Sequence, residues 1–144
     1  MKQKSTALLT AVLFGISLLP GTFQAGAVSV DEKAEVFSGA SYTIMSRLSG
    51  KFMTAGEDGN VLQWEKQAGD AQTWQIFSAG EGLCCILNAD RSLAMTVEGG
   101  DSTNGNNISL VPYEDTPAQH FILHRTDDAY YITAECAGNA ALDV

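Results

Sequence analysis

Adjacent acidic residues such as Glu57-Asp58, Glu114-Asp115 and Asp127-Asp128 carry the groups that acid–base catalysis would need. A glycosidase holds two carboxyl groups at a fixed separation on either side of the bond that it breaks. These pairs fall in turn-like segments, where acidic side chains are usually solvated. An enzyme is therefore the least favoured interpretation of the chain, and the sequence predicts no catalytic residue.

The sequence also contains no set of residues with the spacing of a metal site. The segment DSTNGNN, residues 101–107, is rich in oxygen donors but lacks the ligand spacing of a calcium loop. Its Asn104-Gly105 dipeptide is better explained as a hairpin turn. The sequence predicts neither a metal nor a cofactor.

The three cysteines are an unusual set for an exported chain, because Cys84 and Cys85 are adjacent and Cys136 stands apart. Adjacent cysteines seldom bridge each other without strain, so one at most can pair with Cys136. The odd thiol indicates an intermolecular pair, a buried free thiol or a missing partner. The apolar run LCCIL favours buried, small side chains. A catalytic thiol would need a histidine base, and no pattern brings His120 or His124 beside a cysteine.

The first 27 residues have the pattern of a secretory signal peptide. Lys2 and Lys4 precede an uncharged run from Ser5 to Leu19, and an Ala-Gly-Ala cleavage-site pattern follows at residues 25–27. The alternative, a transmembrane anchor, needs an apolar stretch of roughly 20 residues, which is longer than this one. Residues 28–40 then form a short lead-in. The predicted location is secreted and extracellular.

The charge of the chain limits its partners. The formal net charge is −9, and removal of Lys2 and Lys4 would leave six basic residues against 17 acidic ones. Such a surface is repelled by phosphate, which disfavours nucleic acid and anionic membranes as partners. Neutral or cationic ligands are compatible with it, although acidity that only keeps the protein soluble explains the same composition.

The strongest pattern in the chain is a repeated Ala-Gln-x-aromatic-apolar sequence. The two copies centre on Trp74 and Phe121, 47 residues apart, a spacing typical of repeat architectures. A turn dipeptide precedes each copy, at Asp58-Gly59 and Asn104-Gly105. A third repeat unit opens at Tyr130 with YYITAECAGNAALDV and stops at Val144, before any Gln-x-aromatic sequence. We expect the aromatic residues to share one interior, where each buries on the order of 150–250 Å². The side-chain amides of Gln72 and Gln119 would satisfy backbone groups of neighbouring loops.

Short apolar or alternating runs between Gly, Asn and Asp clusters replace helical periodicity from Ser41 onward, so the prediction is an all-β domain. Ten strands are expected in a barrel or sandwich closed by repetition: SYTIMS, KFMTA, NVLQWE, TWQIFS, GLCCILN, LAMTVE, NISLVP, HFILHR, YYITAE and AALDV.

The order and spacing of these motifs over residues 41–144 resemble the ricin-type β-trefoil lectin repeat, and residues 41–144 are expected to form one such domain. The resemblance implies a β-trefoil of three repeats, the third incomplete in this chain. In that family an Asp that ends the first motif of a repeat accepts hydrogen bonds from sugar hydroxyls. An aromatic residue near the second motif stacks on the sugar ring.

Carried over by position, the family's site residues are unevenly present. In the first repeat Trp64 is expected as the stacking aromatic, while Thr54 stands where the Asp would be and Glu57 or Asp58 are the candidate substitutes. The resemblance assigns Met95 to the Asp position of the second repeat and Val111 to its aromatic position.

Tyr113 could offer a second ring, although its expected position is that of the family's second cysteine. The family's disulfide within each repeat is not expected, because Phe52 and Leu93 stand at its first cysteine position.

The third repeat keeps Asp143, whose stacking aromatic and Gln-x-aromatic sequence would lie beyond Val144. We therefore expect a fragment of a longer protein, with closure of the trefoil by dimerisation as the alternative.

Three functions are compatible with this sequence. The preferred one is a secreted, non-catalytic carbohydrate-binding module that contacts glycans through Asp143 and Trp64. The second is a protein-interaction or inhibitor trefoil whose sugar sites have decayed, and its variant is a targeting appendage of a hydrolase encoded beyond residue 144. The third is an enzyme.

Overall fold

A computed structural model describes residues 9–12, 27–30, 34–127, 129–138 and 140–142, with side chains from residue 38 onward. These residues contain no α-helix, and the predicted all-β class is confirmed. The strands are β1 Leu9–Val12, β2 Ala27–Val30, β3 Ala34–Phe37, β4 Ala40–Ser46, β5 Phe52–Ala55, β6 Val61–Trp64, β7 Trp74–Gly80, β8 Leu83–Asn88, β9 Ala94–Val97, β10 Ile108–Val111, β11 Phe121–Arg125 and β12 Tyr130–Ala134. Short 3-10 turns lie at Asp70–Gln72, Glu98–Gly100, Pro117–Gln119 and Glu135–Ala137.

The expected turn dipeptides join consecutive strands. Between β5 and β6 the backbone N–H of Gly59 donates to the carbonyl of Gly56 across 3.0 Å, and the φ of Gly59 is +82°. Between β9 and β10 the φ of Gly105 is +91°. Side chains with a Cβ rarely adopt such φ values, which explains why glycine occupies both turns.

Ten of the strands form one curled antiparallel sheet with the order β10-β9-β8-β11-β12-β1-β4-β5-β6, and β7 joins it between β4 and β8. β2 and β3 form a separate two-stranded sheet. The sheet is antiparallel throughout, so its strands can be linked by the short turns that the sequence provides.

The strands β7, β11 and β1 each lie between two other strands, and their pairing registers are equivalent. The first residue of each strand pairs with one residue on either side. These triplets are Tyr42, Trp74 and Asn88; Cys84, Phe121 and Ala134; and Tyr130, Leu9 and Ser46. The sheet therefore repeats three times, and the repeat includes β1.

The core lies inside this curled sheet. Trp74 and Phe121 are both 0% exposed, and the indole Nε1 of Trp74 donates to the carbonyl of Met53 across 3.0 Å. The core cluster contains buried side chains from all three repeats, among them Tyr42, Ile44, Ile76, Cys84, Ile86, Met95, Leu110, Leu123 and Ile132. Cys84, Cys85 and Cys136 are free thiols, so apolar packing stabilises the described part of the chain.

The N-terminal part of the chain contributes strands to the structure. Leu9–Val12, inside the predicted signal peptide, form a strand of the main sheet, and the predicted lead-in contains β3 and most of β2. Within the described residues no helix is long and apolar enough to cross a membrane.

The C-terminal strand AALDV is represented by a single bridge, Thr133 to Ala141. This bridge follows the register of the first repeat, in which Met45 pairs with Phe52. Next to it, the Leu142 N–H donates to the carbonyl of Ile132 across 2.8 Å. Asp143 and Val144 lie outside the described residues.

Candidate functional site

Trp64 ends β6 with an unusually open side chain. Trp64 is 57% exposed and pairs with Phe52 of β5. Large aromatic side chains are normally packed against the protein, and an open indole face is a surface for stacking on a flat or apolar ligand face. The sequence-based candidate for stacking is therefore accessible to a ligand.

Polar groups adjoin Trp64 in the sequence and across the hairpin. Glu65 forms an ion pair with Lys51 over 3.8 Å, with the Glu65 side chain largely exposed and the Lys51 side chain partly exposed. Gln63 accepts a hydrogen bond from the hydroxyl of Ser49. Exposed groups of this kind can exchange their partners for the hydroxyls of a ligand at small cost, since surface ion pairs contribute little to stability.

Thr54, which stands at the family's Asp position in the first repeat, is not available to a ligand. It is buried, its hydroxyl donates to the carbonyl of Phe52 across 2.8 Å, and it accepts from the amide Nε2 of Gln72 across 3.0 Å. The hydroxyl thus supports the loop that Gln72 anchors. This repeat offers the stacking ring without an accessible group at the Asp position.

The candidate substitutes for that Asp lie in the β5–β6 turn. Asp58 Oδ1 accepts from the backbone N–H of Asn60 across 3.0 Å, which is an Asx turn. Glu57 is exposed in the same turn. The structure thus gives Asp58 a local role in shaping the hairpin.

The second repeat has the same framework with a different surface. Val111 pairs with Ala94 as Trp64 pairs with Phe52, so Val111 occupies the position of the stacking ring. Gln119 donates from Nε2 to the hydroxyl of Thr96 across 3.0 Å, as Gln72 does to Thr54. This repeat has no aromatic ring at the Trp64 position.

The geometry corrects two assignments in this repeat. Thr96 and not Met95 is the equivalent of Thr54, and Ala94 rather than Leu93 is the equivalent of Phe52. Met95 is instead a fully buried core side chain.

A polar cluster beside the second repeat escaped the sequence-based search. His120 lies between two carboxylates, with Nε2 at 2.9 Å from Asp115 and Nδ1 at 2.8 Å from Glu135. The hydroxyl of Tyr113 donates to Asp115 across 2.7 Å. Hydrogen bonds, chiefly from Tyr113 and then from His120, lower the pKa of Asp115. The only signal in the sequence was His120 inside the Gln-x-aromatic motif, which carries no information on partners 5 and 15 residues away.

This cluster can bind ligand hydroxyls at its outer edge. Asp115 is well exposed, whereas the imidazole of His120 is largely buried between its partners. Tyr113 is 40% exposed and presents part of its ring beside this carboxylate. The cluster thus places an aromatic ring next to an ionised hydrogen-bond acceptor, at residues other than those at the family positions.

The other predicted site residue, Asp143, lies outside the described residues. Its predecessor Leu142 follows Ala141, whose pairing with Thr133 matches the pairing of Phe52 with Met45.

The cysteines and acidic residues form no additional reactive centre in the described ranges. No group of three His, Cys, Asp or Glu side chains there could hold a metal ion. Burial raises the pKa of the Cys84 thiol to about 12 and also raises that of Cys85. Both thiols are protonated at neutral pH and therefore poor nucleophiles.

Comparison with known proteins gives a family match and several structural neighbours. The model of the ricin-type beta-trefoil lectin domain-like family matches residues 30–111. A designed three-fold symmetric protein, ThreeFoil, aligns with a TM-score of 0.67 and 27% identity over 72% of this chain and 78% of its own. No curated protein sequence matches the chain.

Two further neighbours show the fold alone. A Polyporus squamosus lectin bound to the epitope Neu5Aca2-6Galb1-4GlcNAc aligns with a TM-score of 0.64 and 20% identity over 70% of this chain. The exo-beta-1,3-galactanase 1,3Gal43A from Clostridium thermocellum gives a TM-score of 0.63 and 20% identity over 68% of this chain. The aligned parts are 38% of the lectin and 23% of the galactanase.

The predicted β-trefoil is thereby confirmed as a fold, with the three-fold register of the sheet as its structural basis. The family match covers more than half of the chain and includes the hairpin that carries Trp64. The chain belongs to the ricin-type β-trefoil lectin domain-like family.

Proposed function

We propose that this chain is a secreted, non-catalytic carbohydrate-binding module that binds neutral glycans through Trp64 in the first repeat and Asp143 in the third. The observation that carries the proposal is the open indole of Trp64, 57% exposed on a hairpin of a lectin-like domain. A ring of this kind gains binding energy by stacking on the apolar face of a sugar without any change in the fold.

The surface charge and the composition of the second repeat support a neutral ligand. With a net charge of −9 the protein repels anionic polymers. Tyr113 supplies an additional ring, and its hydroxyl oxygen lies 2.7 Å from Oδ1 of Asp115, an ionised hydrogen-bond acceptor. Sugar hydroxyls can donate to such a carboxylate, and the pKa of Asp115 lies below the ordinary value, which keeps it ionised at neutral pH.

The test is a glycan array probed with the wild-type protein and three variants. Trp64→Ala is expected to lower binding about tenfold or more, as is usual when an aromatic residue central to a site is truncated. Leu48→Ala is the matched control, since Leu48 is 72% exposed and lies in the neighbouring β4–β5 loop. Asp143→Ala is expected to abolish binding by the third repeat.

If Trp64→Ala and Asp143→Ala both bind glycans with the affinity of the wild type, the proposed contacts are contradicted. Loss of binding in Leu48→Ala to the same extent would show that the effect is not specific to the ring.

A protein-interaction trefoil is the second candidate. It is favoured by Thr54, whose hydroxyl is already saturated, and by Val111 at the position of the stacking ring. This candidate predicts an array without hits and capture of one specific extracellular protein, with Trp64→Ala lowering the yield of that protein. An array hit that depends on Trp64 would exclude it as the main function.

A further inference from the structure

The main sheet contains a slot for one strand between β4 and β12. β1 fills it, with Leu9, Thr10, Ala11 and Val12 opposite residues 46, 45, 44 and 43 of β4. On its other side β1 pairs with β12 at Leu9 and Tyr130. Without a strand in this slot, the backbone N–H and C=O groups of both facing edges would lack their sheet partners.

The register of β1 is that of a closing strand of the trefoil. Leu9 pairs with Tyr130 and Ser46 as Trp74 pairs with Tyr42 and Asn88. The corresponding residue of the second repeat is Phe121, which is as completely buried as Trp74. The slot therefore has the backbone geometry of the two places that hold Gln-x-aromatic strands.

The sequence of β1 matches this register poorly. Both equivalent strands begin with a large aromatic residue two positions after a glutamine, whereas β1 begins with Leu9 two positions after Ala7. Gln72 and Gln119 each make three hydrogen bonds, which fix the chain just before β7 and β11 begin. A strand that begins Ala-x-Leu has neither the aromatic ring nor the amide, so it is held less firmly than its two counterparts.

From these registers we infer that the slot between β4 and β12 is a strand-acceptor site for an extended peptide segment of the Gln-x-aromatic-apolar type, and that Leu9–Val12 occupy it as a replaceable strand. In this mode of recognition the main-chain hydrogen bonds supply affinity and one side-chain pocket supplies specificity. The predicted removal of residues 1–27 would vacate the slot.

The acceptor site is tested with a labelled peptide of the sequence AQTWQIFSAG, which is residues 71–80 of this chain. Fluorescence anisotropy is measured on the full chain and on its Thr10→Pro variant. Proline cannot donate a sheet hydrogen bond, so this change weakens the hold of β1 on the slot. We expect the peptide to bind the variant at least tenfold more tightly than the wild type. The same peptide with Trp74→Ala is expected to lose most of this binding.

A disulfide between β1 and β4, which can be formed and reduced, provides a second measurement in case the proline variant misfolds. Thr10 and Met45 are directly opposed in register, and opposed antiparallel residues are close enough for a disulfide. The double variant Thr10→Cys with Met45→Cys is expected to bind the peptide when reduced and not when oxidised, with Thr10→Cys alone as the control.

Absence of peptide binding to the proline variant and to the reduced double variant would overturn the inference. Equal binding to the oxidised and reduced double variant would also overturn it, because the peptide would then bind elsewhere. Equal binding of the Trp and Ala peptides would overturn it as well, because the peptide would then bind without using the aromatic position.

Discussion

The amide of Gln119 donates to the hydroxyl of Thr96 across 3.0 Å, and the amide of Gln72 reaches Thr54 over the same distance. Each amide also donates to one loop carbonyl, and its oxygen accepts from one loop N–H. The glutamine of each Gln-x-aromatic motif lies just before β7 or β11. Its hydrogen bonds therefore connect the start of that strand to the hairpin that precedes it.

Replacement of Gln72 by Ala should destabilise the fold, because it leaves buried groups of the loop without partners. Each unsatisfied buried group costs about 1–3 kcal/mol. We expect a lower midpoint in urea unfolding with an unchanged m-value. Gln67→Ala is the control, since the side chain of Gln67 is exposed and its backbone N–H is the group that bonds Gln72. Equal stability of the two variants would contradict this role.

Truncation of a core aromatic residue should have a larger effect. Trp74→Ala and Phe121→Ala each remove a fully buried ring and should cost roughly 3–5 kcal/mol, measured as the free energy of unfolding in guanidinium chloride. Trp74→Phe keeps most of the apolar volume and loses mainly the hydrogen bond to the Met53 carbonyl. Its loss should therefore be smaller, and a Phe variant as unstable as the Ala variant would show that volume does not dominate.

Acid should weaken the loop that holds Asp115. Its pKa is lowered in the folded state by hydrogen bonds from Tyr113 and then from His120, so the contribution to stability is present above the ordinary aspartate pKa of about 3.9 and disappears as the pH falls through the lower folded value. Asp115→Asn should flatten the decline of the thermal midpoint below about pH 4. Glu57→Gln, a change at an exposed turn residue, should leave that decline as in the wild type. An unaltered decline in Asp115→Asn would refute this assignment.

Thiol labelling should distinguish the three cysteines. Burial raises the pKa of Cys84 to about 12, whereas Cys136 is half-buried near the surface. At pH 8 in the native state, a maleimide should modify Cys136 first and leave Cys84 unmodified, and urea should make all three thiols react. Mass spectrometry of proteolytic fragments reads out the sites. Early modification of Cys84 would contradict its place in the core.

The sequence predicted the repeated elements well, because a Gln-x-aromatic motif and a glycine turn impose local geometry that recurs at a fixed spacing. Trp74, Phe121, Gly59 and Gly105 are examples in which residue type alone indicates the role. The strand Leu9–Val12 was not predicted, since an apolar segment has the same composition in a targeting peptide and in a barrel strand.

The polar cluster was beyond sequence reasoning for a different reason. Its members Asp115, His120 and Glu135 come together only when the second and third repeats pack. The role of Thr54 was also not predicted, because residue type alone did not indicate that its hydroxyl accepts a hydrogen bond from Gln72.

The most direct test of the proposed function uses the two tryptophans of the chain, since Trp74 is fully buried and Trp64 is 57% exposed. The protein is titrated with neutral oligosaccharides of galactose, glucose or N-acetylglucosamine, and acrylamide quenching of the tryptophan emission is recorded. We expect at least one sugar to protect the wild type saturably, and the protection to be absent in Trp64→Phe. No protection by any of the sugars, or protection that persists in Trp64→Phe, would contradict sugar binding at Trp64.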